Sequence, residues 1–194
     1  MYGYPFKSKL HSRYVYDWYN GKTAMGAVRY FRGYNRSSLC CPNILKYQFK
    51  TKPPFNISSK CCDKLKKEPF NTWRKLNNKP YLITGIRRAE GGQRITAKCI
   101  QITNNKLNHF NPLAIIDDQW IEWFIRKYNI ELCALYNKPY NFKRTGCKGC
   151  PFNRYLDNEL KILKQYFPSE YTQCELIWKP VYDEYRRINY RLKK

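Results

Sequence analysis

The feature that most constrains this chain is the position of two close pairs of cysteines. Cys61 and Cys62 are adjacent, and Cys147 and Cys150 form a C-x-x-C motif much further along the chain. The total of nine cysteines is odd, which argues against a framework of disulfides. Clustered thiols without such a framework are typical of metal or redox chemistry. If the two pairs act together, the fold must bring two distant segments into contact.

The other cysteines are less informative. Cys40 and Cys41 are also adjacent but have no C-x-x-C partner, so we expect them to pack beside the first pair or to serve as a redox accessory. Cys99 and Cys133 have apolar neighbours and are expected in the core.

The charge of the chain limits its possible partners. The 37 Lys and Arg residues against 14 Asp and Glu give a net charge of +23. With 43% hydrophobic and 17% aromatic residues, the chain has too many core-forming side chains for a disordered basic tail. Because we find neither an apolar run of about 18 residues, as a membrane span needs, nor a signal peptide, we expect a cytoplasmic protein with no membrane partner. The charge favours a polyanion such as a nucleotide, DNA or RNA, although charge that serves only solubility remains the alternative.

The spacing of apolar residues predicts more helix than strand. Helical patterns cover residues 7–20 and 23–32, the segment from Ser59 to the residue before Pro69, a segment capped at 117 or 118, a helix that starts at Pro151, and a last one from about Pro180. A short β-branched strand is expected at 81–86, another at 94–103, and Asn104-Asn105 is a turn signal. The fold class is therefore α/β, mostly helical, with a small sheet.

Several motifs occur in a fixed order. The strand at 81–86 runs into Gly85-Ile86-Arg87-Arg88-Ala89-Glu90 with Arg94 beyond it, then come Asn111-Pro112-Leu113 before a helix with two tryptophans, Leu135-Tyr136, and Gly146-Cys147-Lys148-Gly149-Cys150. This order resembles the G-x-R-x-x-E, N-P-L, L-Y and G-C-x-x-C patterns of the phosphoadenosine phosphosulfate (PAPS) reductase family. The segment from Cys61 to Pro69 resembles the middle region of that family. The resemblance covers nearly the whole chain and implies the C-terminal part of an adenine-nucleotide α-hydrolase-like fold.

Two departures from the family pattern bear on activity. The S-G-G-x-D-S loop that holds nucleotide phosphates has no counterpart, and Gly21-Lys22-Thr23 is no substitute, since Tyr16 stands where a P-loop needs glycine. The C-terminal Glu-Cys-Gly nucleophile is also missing, and the nearest candidate, Cys174-Glu175, is reversed. We therefore expect a single truncated PAPS-reductase-like domain over 1–194, with a basic C-terminal segment at 180–194. We assign no catalytic residue and expect no activity from the chain alone.

The resemblance implies two sites. Its iron–sulfur branch implies that Cys61, Cys62, Cys147 and Cys150 hold a [4Fe–4S] cluster, for which four thiolates are the usual ligands. A zinc site and free thiols remain alternatives. The resemblance also implies that Arg87, Arg88 and Arg94 bind the anionic group of a nucleotide. We add Glu90 of the same motif to this predicted anion- or nucleotide-binding site, together with Lys143 and Arg144, which would lie near the cysteine pairs and could equally form a solvated basic face. The alternative there is that Arg87 or Arg88 simply pairs with Glu90.

Two functions follow as hypotheses. The first is an iron–sulfur component of sulfur transfer or reduction on a nucleotide or nucleic acid, in which a partner chain supplies the missing phosphate loop. The second is a non-catalytic basic protein of phage or mobile-element type that binds nucleic acid or a nucleoprotein, such as an inhibitor of host defence.

Overall fold

The computed structural model describes residues 2–21, 25–33, 40–91, 94–143 and 145–193. Its α-helices are α1 (Lys9–Tyr19), α2 (Met25–Arg32), α3 (Tyr47–Lys50), α4 (Lys60–Cys62), α5 (Glu68–Leu76), α6 (Asp118–Lys127), α7 (Leu156–Tyr166) and α8 (Pro168–Arg187). The strands β1 (Leu82–Ile83), β2 (Ile100–Thr103) and β3 (Lys106–Phe110) form one sheet in the order β1-β3-β2. Strand β1 is parallel to β3 and β2 is antiparallel to it. The expected α/β class, mostly helical with a small sheet, is confirmed.

The chain divides into two compact units. The first unit contains Met1–Lys67 and Ala134–Lys194, and the second contains Glu68–Cys133. The first unit has a well-formed aromatic and aliphatic core, in which Phe6 meets Tyr185 with ring centroids 4.6 Å apart. Helices α7 and α8 pack on each other, as do α1 and α2. This core is what fixes the loops that carry the cysteines of the first unit.

The second unit buries very little. Of its described residues only Asn111 and Ala114 are buried, and both belong to the segment that follows β3. The Asn111 side chain accepts a hydrogen bond from the Thr84 hydroxyl, which follows β1, and donates one of 2.7 Å to the carbonyl of Lys98, which precedes β2. A single amide of the N-P-L motif therefore connects the segments flanking two strands. The apolar side chains of the sheet, such as Ile83 and Ile102, remain exposed.

Pro69 does not end its helix as the sequence predicted. Helix α4 continues through a π-helical turn at Asp63–Lys67 directly into α5. Pro69 is the second residue of α5, and proline is tolerated in a first helical turn. The cysteine pair on α4 is thus followed at once by an irregular turn of a kind often found near functional sites.

Two other prolines were also misjudged. Pro151 does not start a helix, because the Tyr155 N–H bonds the side chain of Asn153 at 3.0 Å while the Pro151 carbonyl accepts from the Tyr185 hydroxyl at 3.0 Å. Helix α7 begins only at Leu156. Pro180 lies inside α8 instead of opening the last helix.

The strands are shorter than predicted, and one was missed. The strand expected at 81–86 is only Leu82–Ile83, and the one expected at 94–103 is Ile100–Thr103. The turn at Asn104 and Asn105 is confirmed, since both residues have positive φ angles, 51° and 56°, as a tight hairpin requires. It leads into β3, whose mixed sequence gave no strand signal. Within the described residues, the helices include none with the length and apolar character needed to cross a membrane.

Candidate functional site

The two cysteine pairs lie in the same unit and interact with each other. Cys61 and Cys62 are on α4, and Cys147 and Cys150 are in the loop before Pro151. Burial, together with the neighbouring thiols of Cys62 and Cys150, raises the pKa of Cys61 to about 12. Burial, followed by the thiols of Cys147 and Cys62, raises the pKa of Cys150 to about 11. Each pair therefore lies within electrostatic range of the other, although the two are far apart in sequence.

The side chain of Lys66 brings a cation to this group of thiols. The Lys66 ammonium hydrogen-bonds the sulfur of Cys147, and this contact raises the pKa of Lys66. Lys66 belongs to the π-helical turn, so the irregular turn after α4 brings the positive charge to the C-x-x-C loop. A cation beside a thiol stabilises the thiolate, which is the form that binds metals and acts as a nucleophile.

The described residues contain no group of three or more His, Cys, Asp or Glu side chains arranged to hold a metal ion. The four thiols are nevertheless a suitable donor set by their chemistry, because thiolates are the ligands that iron–sulfur clusters and structural zinc use. Metal binding by these four cysteines stays a prediction.

The C-x-x-C loop is held by side chains that the sequence did not single out. The buried Glu159 carboxylate accepts a hydrogen bond of 2.9 Å from the Gly149 N–H and another from the Asn153 amide. The Tyr182 hydroxyl, from α8, donates to the Gly149 carbonyl. Because Glu159 and Tyr182 bind the two sides of one peptide segment, they fix the backbone between Cys147 and Cys150. No local pattern marks either residue.

Gly149 is required for this close packing. Its φ of +59° is in the left-handed region, and a Cβ atom placed there would lie 2.6 Å from Cys174 Sγ and 2.7 Å from the Tyr182 hydroxyl. Cys174, the candidate noted for its reversed Cys-Glu order, is thus a buried residue beneath the loop. Burial raises the pKa of the Cys174 thiol, which keeps it neutral. Cys174 therefore packs as a small apolar residue.

The arginines of the predicted anion site are engaged within the second unit. Arg87 Nη1 lies 2.7 Å from Asp118 Oδ1, although this buried nitrogen has no partner with hydrogen-bond geometry among the described residues. Arg94 forms an ion pair with Glu90. The structural pairing expected of Glu90 therefore exists, but with Arg94. Arg88 Nε donates to the carbonyl of Ala97 at 2.7 Å.

The two remaining residues of the predicted anion site belong to the first unit. Lys143 is exposed, and Arg144 lies outside the described residues. Anion binding by this set stays a prediction.

The remaining cysteines fall in different environments. Cys41 is buried in the core of the first unit, and burial raises its pKa to about 11. Its electrostatic partners include Lys7 and Lys46, so it does not belong to the group of four thiols. Cys99 is half-buried and Cys133 is exposed, so the prediction that both are core residues is wrong. The segment around Cys133 has apolar side chains, but the second unit does not bury them.

The fold and the site together define a small α/β protein. Its four interacting thiols lie on a short helix and on a C-x-x-C loop. Residues 41–153, more than half of the chain, match the family model of the phosphoadenosine phosphosulfate reductase domain. The chain belongs to this family, and its mostly helical fold with a three-stranded mixed sheet agrees with that membership. No curated protein and no solved structure matches the chain significantly.

Proposed function

We propose that this protein is an iron–sulfur member of the PAPS reductase family that takes part in sulfur transfer or reduction on a nucleotide or nucleic acid. The family membership supports the link to sulfur reduction. The observation that carries the proposal is the interaction of Cys61 and Cys62 with Cys147 and Cys150, which the fold brings together from distant parts of the sequence. These four thiols would be the ligands, and a bound [4Fe–4S] cluster would supply electrons.

The surroundings of the thiols fit this role. The raised pKa values of Cys61 and Cys150 mean that these thiolates are disfavoured on their own, and the positive charge of a bound metal would offset that effect. Lys66 brings a positive charge into direct contact with the sulfur of Cys147. Glu159 and Tyr182 hold the backbone of the C-x-x-C loop, so the path of this loop does not depend on a bound metal.

We propose further that another polypeptide segment supplies the phosphate loop of the family, which these 194 residues do not contain. The second unit supports this idea. Among the residues that the structure describes, strand β1 has a neighbour on one side only, and the sheet side chains Ile83 and Ile102 are 69% and 67% exposed. An open sheet edge beside exposed apolar side chains is a place where further structure can be added.

The test is metal analysis of the anaerobically purified chain. We expect iron and acid-labile sulfide in the wild type, with visible absorbance, and loss of both in Cys61→Ala, Cys62→Ala, Cys147→Ala and Cys150→Ala. Cys133→Ala is the matched control, because it removes an exposed thiol from the second unit. A colourless protein with about one zinc per chain would replace the cluster by a structural zinc site. A wild type without metal would refute the proposal.

Binding to nucleic acid without catalysis is the second candidate. The observation that favours it is the charge of the chain. Even if each of the 14 carboxylates paired with a Lys or Arg, an excess of 23 positive charges would remain. We propose that such a protein, of phage or mobile-element type, would bind DNA, RNA or a nucleoprotein. Steeply salt-dependent binding with no turnover, in a protein without iron, would favour this candidate over the first.

A further inference from the structure

A concave surface of the first unit, separate from the thiols, has the chemistry of a ligand site. The cavity has a volume of about 240 Å³ and lies between the C-terminal half of α1 and the segment around Pro53. We define the tyrosine–lysine cavity by its lining residues, which are Tyr2, Gly3, Val15, Tyr16, Tyr19, Asn20, Lys52, Pro53, Phe55, Asn56, Ile57 and Lys60. No motif of the sequence analysis pointed to it.

The wall of the cavity is built firmly. The N-terminal segment pairs with the segment around Ile57 through hydrogen bonds from the Tyr4 N–H to the Asn56 carbonyl at 2.7 Å and from the Ser58 N–H to the Tyr4 carbonyl at 2.8 Å. Gly3 permits this approach, because a Cβ atom there would lie 2.8 Å from the Ser58 Cβ. The cavity is therefore held open by backbone pairing.

The lining is cationic and has no opposing charge. It includes two lysines and no carboxylate. Lys60 Nζ donates to the Tyr16 hydroxyl at 2.8 Å and lies 4.3 Å from the centre of that ring, which leaves two of its three N–H donors. The side chain of Lys52 has no partner among the described residues. Two ammonium groups around one cavity favour an anionic ligand.

The lining is also aromatic. Three tyrosine rings and Phe55 contribute to it, and Tyr2 is 60% exposed. Tyrosine rings beside lysines are the combination with which proteins stack bases and neutralise the phosphates of single strands. The volume is below the roughly 300 Å³ at which sites that enclose a drug-sized ligand begin, so a ligand of that size would lie only partly inside the cavity.

We propose that the tyrosine–lysine cavity binds one nucleotide unit, with its base against the tyrosine rings and its phosphate at Lys52 and Lys60. The same unit can come from a free nucleotide or from a single strand of DNA or RNA. The proposal does not depend on the iron–sulfur cluster, since none of the lining residues is a cysteine. Because Lys60 immediately precedes Cys61, a nucleotide held here would lie beside the helix that carries the first cysteine pair.

The test is calorimetric titration of the full chain, at one ionic strength, with adenosine 5′-monophosphate, adenosine, inorganic phosphate and a short oligodeoxyadenylate. We expect the monophosphate to bind more tightly than either adenosine or phosphate. Lys52→Gln and Lys60→Gln should each weaken its binding about tenfold, the effect of losing one charge-assisted hydrogen bond. Lys161→Gln, which removes an exposed charge from α7, should change it less than about twofold.

A second variant tests the rings. Tyr2→Ala should weaken binding of the monophosphate about fivefold to tenfold without unfolding the protein, because Tyr2 is exposed. Tyr155→Ala, which removes a ring that is 55% exposed, is the matched control and should have no effect.

The pattern of results decides the outcome. Tighter binding of the oligodeoxyadenylate than of the monophosphate, lost in the same variants, would support the proposal and identify a single strand as the source. Binding of the monophosphate alone would support it for a free nucleotide. The proposal would be overturned if phosphate bound as tightly as the monophosphate, or if Lys52→Gln and Lys161→Gln weakened binding equally. It would also be overturned if neither the monophosphate nor the oligodeoxyadenylate bound. Iron content of the same samples is scored separately, so failure here leaves the cluster proposal untouched.

Discussion

Replacing Gly149 by alanine should destabilise the first unit more than any other glycine substitution near the C-x-x-C loop. The new Cβ would lie 2.6 Å from Cys174 Sγ and 2.7 Å from the Tyr182 hydroxyl, distances that real Cβ atoms do not adopt. Both neighbours are at most 1% exposed, so neither side chain can swing into solvent. The loop or α8 must therefore move.

The expected cost has two parts. A φ of +59° is strained for alanine by about 1–2 kcal/mol. Forcing a methyl group into a packed interior adds about 1–3 kcal/mol. The sum is about 2–5 kcal/mol, which is a large share of the roughly 5–15 kcal/mol that keeps a typical domain folded.

Two other glycines of the same unit separate these parts. Gly21 has a φ of +70° but nothing within 4 Å of the added atom among the described residues, so Gly21→Ala carries the backbone strain alone. Gly146 has open space around it and no positive φ, so Gly146→Ala should be nearly neutral. The measurement is urea denaturation of the reduced protein with a chelator present, so that metal binding does not contribute. If Gly149→Ala lowers the free energy of unfolding no more than Gly21→Ala does, then Cys174 and Tyr182 of α8 do not pack against Gly149 as described.

Two further predictions concern titration and thiol chemistry. Burial lowers the pKa of His11 from 6.5 to about 4, so between those pH values the unfolded chain binds a proton that the folded chain does not. The free energy of unfolding should therefore fall by up to about 3 kcal/mol as the pH drops through this range, and urea denaturation of His11→Gln across it should lack that dependence. Lys66→Gln should slow alkylation of Cys147 by iodoacetamide at neutral pH, because it removes the ammonium that is hydrogen-bonded to the reacting sulfur. Lys67→Gln is the control, since Lys67 pairs with Asp63 instead, and equal rates in both variants would contradict the contact.

Local patterns in the sequence predicted the parts of the fold that depend on neighbouring residues. Helices α1 and α2 lie inside their expected bounds and end close to them, and the Asn104-Asn105 turn is where its residue types require it. The α/β class followed from the same patterns. Strand β3 was missed because its sequence is mostly polar and all but one of its residues are exposed, so no alternation marks it.

The parts that depend on distant residues could not be predicted in this way. Tyr182 and Tyr185 reach the C-x-x-C loop from a distant part of the sequence, and the proline inside α8 disguised the helix that carries them. The buried Glu159 belongs to the first turn of α7, where an acidic residue is ordinary. The cysteine pairs were visible because their spacing is itself unusual, whereas the groups that hold them have no distinctive spacing.

The ion pairs of the arginine motif do not prevent it from binding an anion. Asp118, the partner of Arg87, is 69% exposed, and Glu90 and Arg94 are also open to solvent. The Arg94–Glu90 pair, which is partly open to solvent, contributes at most about 1 kcal/mol, because water screens it. A phosphate or sulfate that accepts two hydrogen bonds from one guanidinium gains more than that, since charge-assisted bonds are worth about 1.5–3 kcal/mol. If these arginines bind an anion, as the family resemblance implies, we expect it to displace Asp118 or Glu90, which otherwise hold the guanidinium groups in place.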